Sequence, residues 1–196
     1  MTYLLVALGS YILGSIPFGL VICRLFGLGD IRQIGSGNIG ATNVLRTGNK
    51  LAAFLTLVLD AGKGAIAVIV ARSLGGEDVA GLAALFAMLG HLYPIFLKFK
   101  GGKGMATFLG TLLALSFPVG LACCATWLVT ALITRISSAS ALVSAALAPI
   151  FTIYFYHLHG AVLILLLSAL IFYRHGANIR RLINGTEPKI QRKKET

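Results

Sequence analysis

Six apolar stretches, at residues 3–26, 51–73, 79–97, 105–134, 138–157 and 160–174, alternate with short polar segments rich in glycine, lysine and arginine. Most have close to the ~20 residues that a helix needs to cross a hydrocarbon core. The pattern therefore predicts an all-α, polytopic integral membrane helix bundle. The 105–134 stretch is too long for one ordinary helix, and SFPVG at 116–120 puts Pro118 and Gly120 near its middle, where a turn is expected. Two short spans there bring the total to seven transmembrane helices.

The cations choose between six spans and seven. Lys/Arg-rich connections stay in the cytoplasm. With seven spans, the connections from Arg24 to Lys50, Lys98 to Lys103, at Arg135, and from Arg174 onward all fall on one face. Only Arg72 lies opposite, and Lys63 lies within a span. Six spans would move Arg135 and the Arg174 cluster across the membrane from the first two groups. The expected topology is therefore N-terminus outside and C-terminus cytoplasmic. The first apolar run has no basic n-region and no small-residue cleavage pattern, so it reads as a retained span rather than a signal peptide. Residues 1–196 form one membrane-embedded domain, with 187–196 a polar cytoplasmic tail whose lysines can meet anionic headgroups. Gly9, Gly14 and Gly19 would let helices approach closely.

Composition agrees. A chain with 57% hydrophobic and 12% charged residues and a mean hydropathy of +0.88 cannot cover itself with a polar surface. The net charge of +11 does not indicate nucleic acid, since a nucleic-acid-binding domain would not carry membrane-length apolar runs. It reads as topology and anion binding. Cys23, Cys123 and Cys124 all lie within apolar runs and read as core thiols, not as a disulfide framework or a metal cluster.

Three polar segments on the cytoplasmic side are too specific for plain loops. In GSGNIGATNVLR, 35–46, Gly35, Gly37 and Gly40 have the G-x-G-x-x-G spacing, but the residues upstream are a long apolar run instead of a strand, which excludes a dinucleotide fold. The glycines instead allow successive N–H groups to face one concavity, to which Ser36, Asn38, Thr42 and Asn43 add donors, a nest suited to phosphate. Arg46 adds a planar fork. In KFKGGKGMATFLG, 98–110, glycines leave Lys103 open at a helix N-terminus, a second anion site, without matching a Walker A loop. Lys98 and Lys100 read as positive-inside anchors. In RHGANIRRLINGTE, 174–187, His175, Asn178 and Arg181 or Leu182 share a helical face. His91, His157 and His159 lack such company and read as structural or interfacial. Asp60 and Lys63, at i, i+3 within a span, form either a structural pair or part of a polar pathway, with the pair favoured. Glu187 either neutralises a cytoplasmic cation or is solvated.

Together these segments offer many anion-binding groups, few carboxylates and no metal set, which indicates two phosphorylated ligands meeting at the cytoplasmic face. No G-x-S-x-G elbow, H-E-x-x-H, or His followed four residues later by Asp is present, so a covalent serine mechanism is unsupported. The three segments, in order and each between apolar spans, resemble the signature motifs of the bacterial acyl-phosphate-dependent glycerol-3-phosphate acyltransferases, the PlsY family. The resemblance spans the chain. It implies a seven-helix enzyme of the bacterial inner membrane with its active site at the cytoplasmic face. That enzyme would acylate position 1 of glycerol 3-phosphate from a fatty acyl phosphate, giving lysophosphatidic acid and phosphate, with no cofactor, no metal and no nucleic-acid partner. A monomer is compatible with the chain.

Carried over by position, Ser36, Gly37, Asn38, Ile39, Gly40, Ala41, Thr42 and Asn43, with Gly102, Lys103 and Gly104, resemble the acyl-phosphate-binding set. Arg46, Lys103, Ser138, Ser140, His175, Asn178 and Arg181 resemble the glycerol-3-phosphate pole. Ser137, Ser138 and Ser140 of RISSAS, 135–140, stand too close together for one to be chosen. Ser36, Lys103 and His175 are the catalytic candidates. Met105 takes a place that is often valine in the family.

Phosphate is already a good leaving group in an acyl phosphate, so the enzyme must mainly position reactants and stabilise charge. Direct attack by the acceptor hydroxyl, with its proton passing to the donor's own phosphate, needs no acyl-enzyme. His175 is the candidate if the protein supplies a base. A phosphate-ester transporter is the main rival, but it requires anion sites on both faces, and SLGGED, 73–78, and YHLHG, 156–160, offer little to an anion. A metal-dependent phosphotransferase would need clustered carboxylates, whereas Asp30, Asp60, Glu77, Asp78, Glu187 and Glu195 are scattered.

Overall fold

The structure, a computed structural model, describes residues 1–156 and 158–190, with side chains for all of these except residues 156, 158 and 159. The expectations for His157 and tail residues 191–196 lie outside the described residues, and that for His159 outside the described side chains. Among those described, the chain is helical, without strands. The helices are α1 (Thr2–Ser15), α2 (Phe18–Leu25), α3 (Ala41–Leu45), α4 (Lys50–Leu92), α5 (Met105–Leu115), α6 (Phe117–Thr134), α7 (Ser137–Tyr156), α8 (Leu158–Arg174) and α9 (Gly176–Ile183), with 3-10 turns at Ile31–Gln33 and Ile95–Leu97.

Sequence explains most of the helix breaks. The expected first span is interrupted at Ile16, which takes an extended ψ of 117° because it precedes Pro17. Gly76 has a φ of +76°, and the non-helical Gly75–Gly76 step divides α4 into two segments, matching the expected separation of 51–73 from 79–97. The 105–134 stretch divides as expected, but at Ser116 (φ −149°, ψ 104°) and not at Pro118. Pro118 instead occupies the first turn of α6, where its missing N–H leaves no gap in the hydrogen-bond ladder. α5 has only 11 residues and rises about 16 Å, half of a hydrocarbon core.

α4 is the axis. α1 lies against it, and α5, α6, α7 and α8 follow around a ring that closes back on α4. Met88, Leu92, Phe108, Leu112, Val119, Leu167 and Ile171 fill the interior, with Ala80, Ala84, Ala145 and Ala148 between them. Small residues set the closest crossings: a β-carbon at Gly14 would lie 2.2 Å from the Ala87 carbonyl oxygen, and one at Gly110 would lie 2.0 Å from that of Ala61. Of the other glycines expected at helix contacts, Gly19 meets the carbonyl of loop residue Ile39, and Gly9 has no neighbour within 4 Å.

The exterior is apolar. Leu4, Leu8, Ile12, Ile66, Ile69, Leu128, Ile150 and Leu165 are all at least half exposed, a belt far larger than water tolerates on a soluble monomer. Among the described residues, four stretches are long and apolar enough to cross a bilayer, namely Thr2–Leu25, Lys50–Leu97, Phe117–Thr134 and Ser137–Phe155. Gly160–Arg174 and Gly176–Ile183 qualify together as a pair bent by 64°.

Replacing Gly110 by Val should separate α4 from α5 and lower stability by about 1–3 kcal/mol. Thermal unfolding in detergent micelles checks this, with Gly9→Val, at an open site, as a control that should unfold like the parent.

Candidate active site

The first polar segment is organised around one buried amide. Asn43 is 1% exposed. Its Nδ2 donates to the carbonyls of Ile31 at 2.7 Å and Ile34 at 3.0 Å, and its Oδ1 accepts from the Ser36 N–H at 3.2 Å and Arg46 Nη1 at 3.1 Å. All four hydrogen-bonding positions of the side chain are therefore used within the loop. Asn43 shapes the nest and aims Arg46. Gly35 and Gly37 adopt φ of +56° and +68°, a backbone that other residues enter only at a cost. Ser36 is exposed at the cleft, while Ile39 is buried in the core beside α2. Gly40 precedes α3, whose first-turn amides at Ala41 and Thr42 have no helical carbonyl to meet. Thr42 Oγ1 lies 3.1 Å from Ser137 Oγ, tying this loop to α7.

The second segment returns along the end of α4. Gly101 and Gly102 donate to the carbonyls of Leu92 and His91, each at 3.2 Å. Arg174, at the end of α8, donates to the carbonyls of Gly101 at 3.0 Å and Gly102 at 3.2 Å, and stacks over Tyr93 at 5.4 Å. Lys103 projects from this clamped loop to line the cleft. Burial pushes its ammonium pKa down to about 8, aided by Arg181, Arg46 and Arg174 and opposed by Glu187.

The third segment forms at the kink between α8 and α9. His175 Nδ1 lies 2.8 Å from the Ile171 carbonyl. A carbonyl only accepts, so Nδ1 carries the proton and Nε2 is left as an acceptor. Burial lowers the His175 pKa to about 4, with the Ile171 bond opposing and Lys103 reinforcing the shift. α9 ends in a hydrogen-bonded glycine cap, in which the N–H of Thr186 reaches the Arg181 carbonyl at 2.8 Å and that of Gly185 reaches Leu182 at 3.2 Å. The cap turns the chain back until Ile190 N–H meets the Arg135 carbonyl at 2.7 Å.

That return buries Glu187. Its side chain is 6% exposed and accepts from Ser138 Oγ at 2.6 Å, from Asn178 Nδ2, and from Arg181 Nε at 2.6 Å. Burial disfavours its charge, but these donors outweigh that, so the carboxyl stays below its ordinary range. Of the two roles the sequence left open, Glu187 takes the neutralising one. The NG dipeptide at 184–185 is a helix-stop signal and marks the end of α9 in the sequence.

These pieces enclose a cleft of about 530 Å³. Ser36, Asn38, Gly40, Ala41, Thr42, Asn43, Arg46, Lys103, Gly104, Ser138, His175 and Asn178 line it. Gly37, Ile39, Gly102, Ser140 and Arg181 do not; Ser140 is fully buried and donates to the Ile136 carbonyl at 3.0 Å. Ser137 and Ser138 are the serines of RISSAS at the cleft. One wall is apolar: Ala53, Phe54 and Leu57 of α4, Met105 and Leu109 of α5, Trp127 of α6 and Ala141 of α7. From Lys50 to Asp60 this wall runs about 15 Å along α4. The cleft thus joins a cationic, donor-rich end to a groove for an alkyl chain. Among the described residues, no group of three or more His, Cys, Asp or Glu is placed to hold a metal ion.

A sequence model of glycerol-3-phosphate acyltransferases matches residues 4–185. A glycerol-3-phosphate acyltransferase of Cereibacter sphaeroides is 64% identical over 94% of this chain and 88% of its own. That of Jannaschia sp. is 63% identical over 95% and 92%. Among solved structures, the integral membrane glycerol 3-phosphate acyltransferase PlsY in its glycerol 3-phosphate form superposes with a TM-score of 0.91, at 39% identity over 96% of each chain. Its lysophosphatidic acid form gives 0.90 and 38% over 96% and 95%.

The depressed lysine pKa gives a sign to test. Lys103 is charged below about 8 and neutral above it, so binding of inorganic phosphate should weaken as pH rises from 7 to 9. Arg keeps its charge throughout this range, so Lys103→Arg should abolish that loss. Phosphate titrations followed by 31P NMR check both.

Proposed function

The chain belongs to the glycerol-3-phosphate acyltransferase family, and from that premise we propose how its cleft carries out the acylation of glycerol 3-phosphate to lysophosphatidic acid. The donor is a fatty acyl phosphate. The observation that carries this reading is the union in one cleft of a cationic end, with Arg46, Lys103 and the 36–43 loop, and an apolar wall made by Phe54, Leu57, Leu109 and Trp127. A compact acyl phosphate needs both and nothing more, whereas a coenzyme carrier would need a further site for its nucleotide.

Ser36 and the open amides of Ala41 and Thr42 hold the donor phosphate, with Lys103 between it and the acceptor. Arg46, Lys103, Ser138, His175 and Asn178 receive the phosphate and hydroxyls of glycerol 3-phosphate. The 1-hydroxyl oxygen attacks the acyl carbonyl carbon, and the carbon–oxygen bond to phosphate breaks. The hydroxyl proton passes to an oxygen of the departing phosphate, so charge and atoms balance without an acyl-enzyme. His175 supports this substrate-assisted route: with a pKa of about 4 it is a weaker base than a phosphate monoester, whose second pKa is about 6. Its Nε2 orients the hydroxyl as an acceptor. Lys103 and the loop amides stabilise charge on the leaving group as it develops.

The reading includes seven spans, counting α4 as two segments and α5 as a short one, with the N-terminus outside, the C-terminus cytoplasmic and the cleft on the cytoplasmic side of the bacterial inner membrane. The one-sided distribution of Lys and Arg supports it. The acyl donor enters from the bilayer along the groove and the acceptor from water. No metal takes part, in keeping with the cationic character of the polar end.

Purified protein with radiolabelled glycerol 3-phosphate and EDTA should form lysophosphatidic acid from palmitoyl phosphate and none from palmitoyl-CoA. Product only from the CoA ester, or loss of product on adding EDTA, would overturn the donor or the metal assignment respectively. His175→Gln keeps a hydrogen-bonding group without a titrating base. It should raise the KM for glycerol 3-phosphate and hold kcat within about tenfold, whereas loss of an obligatory base would lower kcat by about 10²–10⁴.

A further inference from the structure

Asp60, Lys63 and His91 have no part in the chemistry above, yet they are 2%, 2% and 4% exposed. Lys63 Nζ lies 2.8 Å from Asp60 Oδ1 and donates to the Ile16 carbonyl at 2.9 Å. His91 Nδ1 stands 3.7 Å from the same carboxylate oxygen, too far for a hydrogen bond, and has no other hydrogen-bond partner. Asp60 and His91 also form part of the cleft wall. Three buried ionisable groups are costly within a membrane span, and such clusters are kept where they serve a site.

What they serve is visible in the next layer. A β-carbon on Gly102 would lie 2.3 Å from His91 Nε2, so the imidazole packs directly against the backbone that precedes Lys103. The His91 carbonyl also accepts the Gly102 N–H at 3.2 Å, while Arg174 holds the carbonyls of the same two glycines. The loop is thus pinned by Arg174 and by His91. On the far side of the Asp60 pair, Lys63 reaches the α1–α2 break, and Gly19 of α2 packs closely against the carbonyl of Ile39 from the first loop.

We propose that His91, braced by the buried Asp60–Lys63 pair, is a positioning residue that fixes where the Lys103 ammonium stands in the cleft. The proposal rests on the assignment of Lys103 as the anion-binding lysine. The charged and titratable groups around Lys103 are Glu187 of the return segment, Arg181 of α9, Arg46 at the end of α3, and Arg174 and His175 at the end of α8. Asp60 and Lys63 lie behind His91.

The test is kcat/KM against pH for the full-length chain in micelles, with palmitoyl phosphate and glycerol 3-phosphate. The variants are Lys103→Met, His91→Ala, Gly102→Ala and the Gly102→Ala/His91→Ala pair. Removing the ring lets the loop settle and water reach Lys103. His91→Ala should therefore raise KM for glycerol 3-phosphate about tenfold and move the alkaline limb upward from about 8. Gly102→Ala, which strikes the ring, should lose about a hundredfold, and the double variant should recover at least about tenfold of that.

Parental KM and alkaline limb in folded His91→Ala, a double variant no better than Gly102→Ala, or no folded protein from either His91 variant would overturn the proposal and leave the cluster as packing alone. Lys103→Met separates the two levels. If it alters KM and the alkaline limb while His91→Ala does not, only the positioning role falls. If it alters neither, the assignment of Lys103 falls and the proposal with it.

Discussion

Wherever a helix stops inside this bundle it leaves carbonyl oxygens that lipid cannot solvate, and unsatisfied backbone groups cost several kcal/mol each in hydrocarbon. A basic side chain or an imidazole meets several carbonyls at or beside these breaks. Lys63 reaches the Ile16 carbonyl at the α1–α2 break. Arg72 reaches Ala114 at 2.7 Å and Leu115 at 3.1 Å where α5 ends. Arg174 takes Gly101 and Gly102 before α5 begins, and His175 takes Ile171 at the α8–α9 kink. The breaks that make room for a polar cleft and the basic groups that meet their carbonyls are therefore products of the same constraint. An uninterrupted bundle would need neither.

Cations gathered around one cleft repel one another. Arg46, Arg174 and Arg181 all act on Lys103, and Glu187 is the carboxylate that offsets them, joined at once to α7 through Ser138 and to α9 through Asn178 and Arg181. Of the two carboxylates at the cleft, Glu187 is paired with Arg181 and Asp60 with Lys63, which leaves Arg46 and Lys103 as a surplus of positive charge. In low dielectric such a surplus favours an anion, and the adjoining apolar wall favours burial of apolar groups.

Arg72 and Lys63 illustrate how far pattern reading goes. In sequence they are exceptions to the distribution of cations, one on the sparse face and one within a span. In three dimensions both cap helix ends, roles that depend on which carbonyl lies across the bundle 42 to 47 residues away. Asn43 carries a similar lesson. Its place in a glycine-rich loop marks it as a donor to a ligand, yet its amide is consumed by four partners inside that loop.

Local chemistry alone determined the helical character, the split of residues 105–134, the break between 73 and 79, and the three polar segments with their cationic and glycine-rich character. These follow from hydropathy, proline, glycine and charge acting over a few residues. Tertiary structure decided the return that buries Glu187 beside Asn178, the choice of Ser137 and Ser138 over Ser140, and the contact of His91 with Gly102. Each of those depends on distant parts of the chain meeting in a water-poor interior, where an unpaired charge or carbonyl must find a partner, and spacing along a sequence does not record which partner is near.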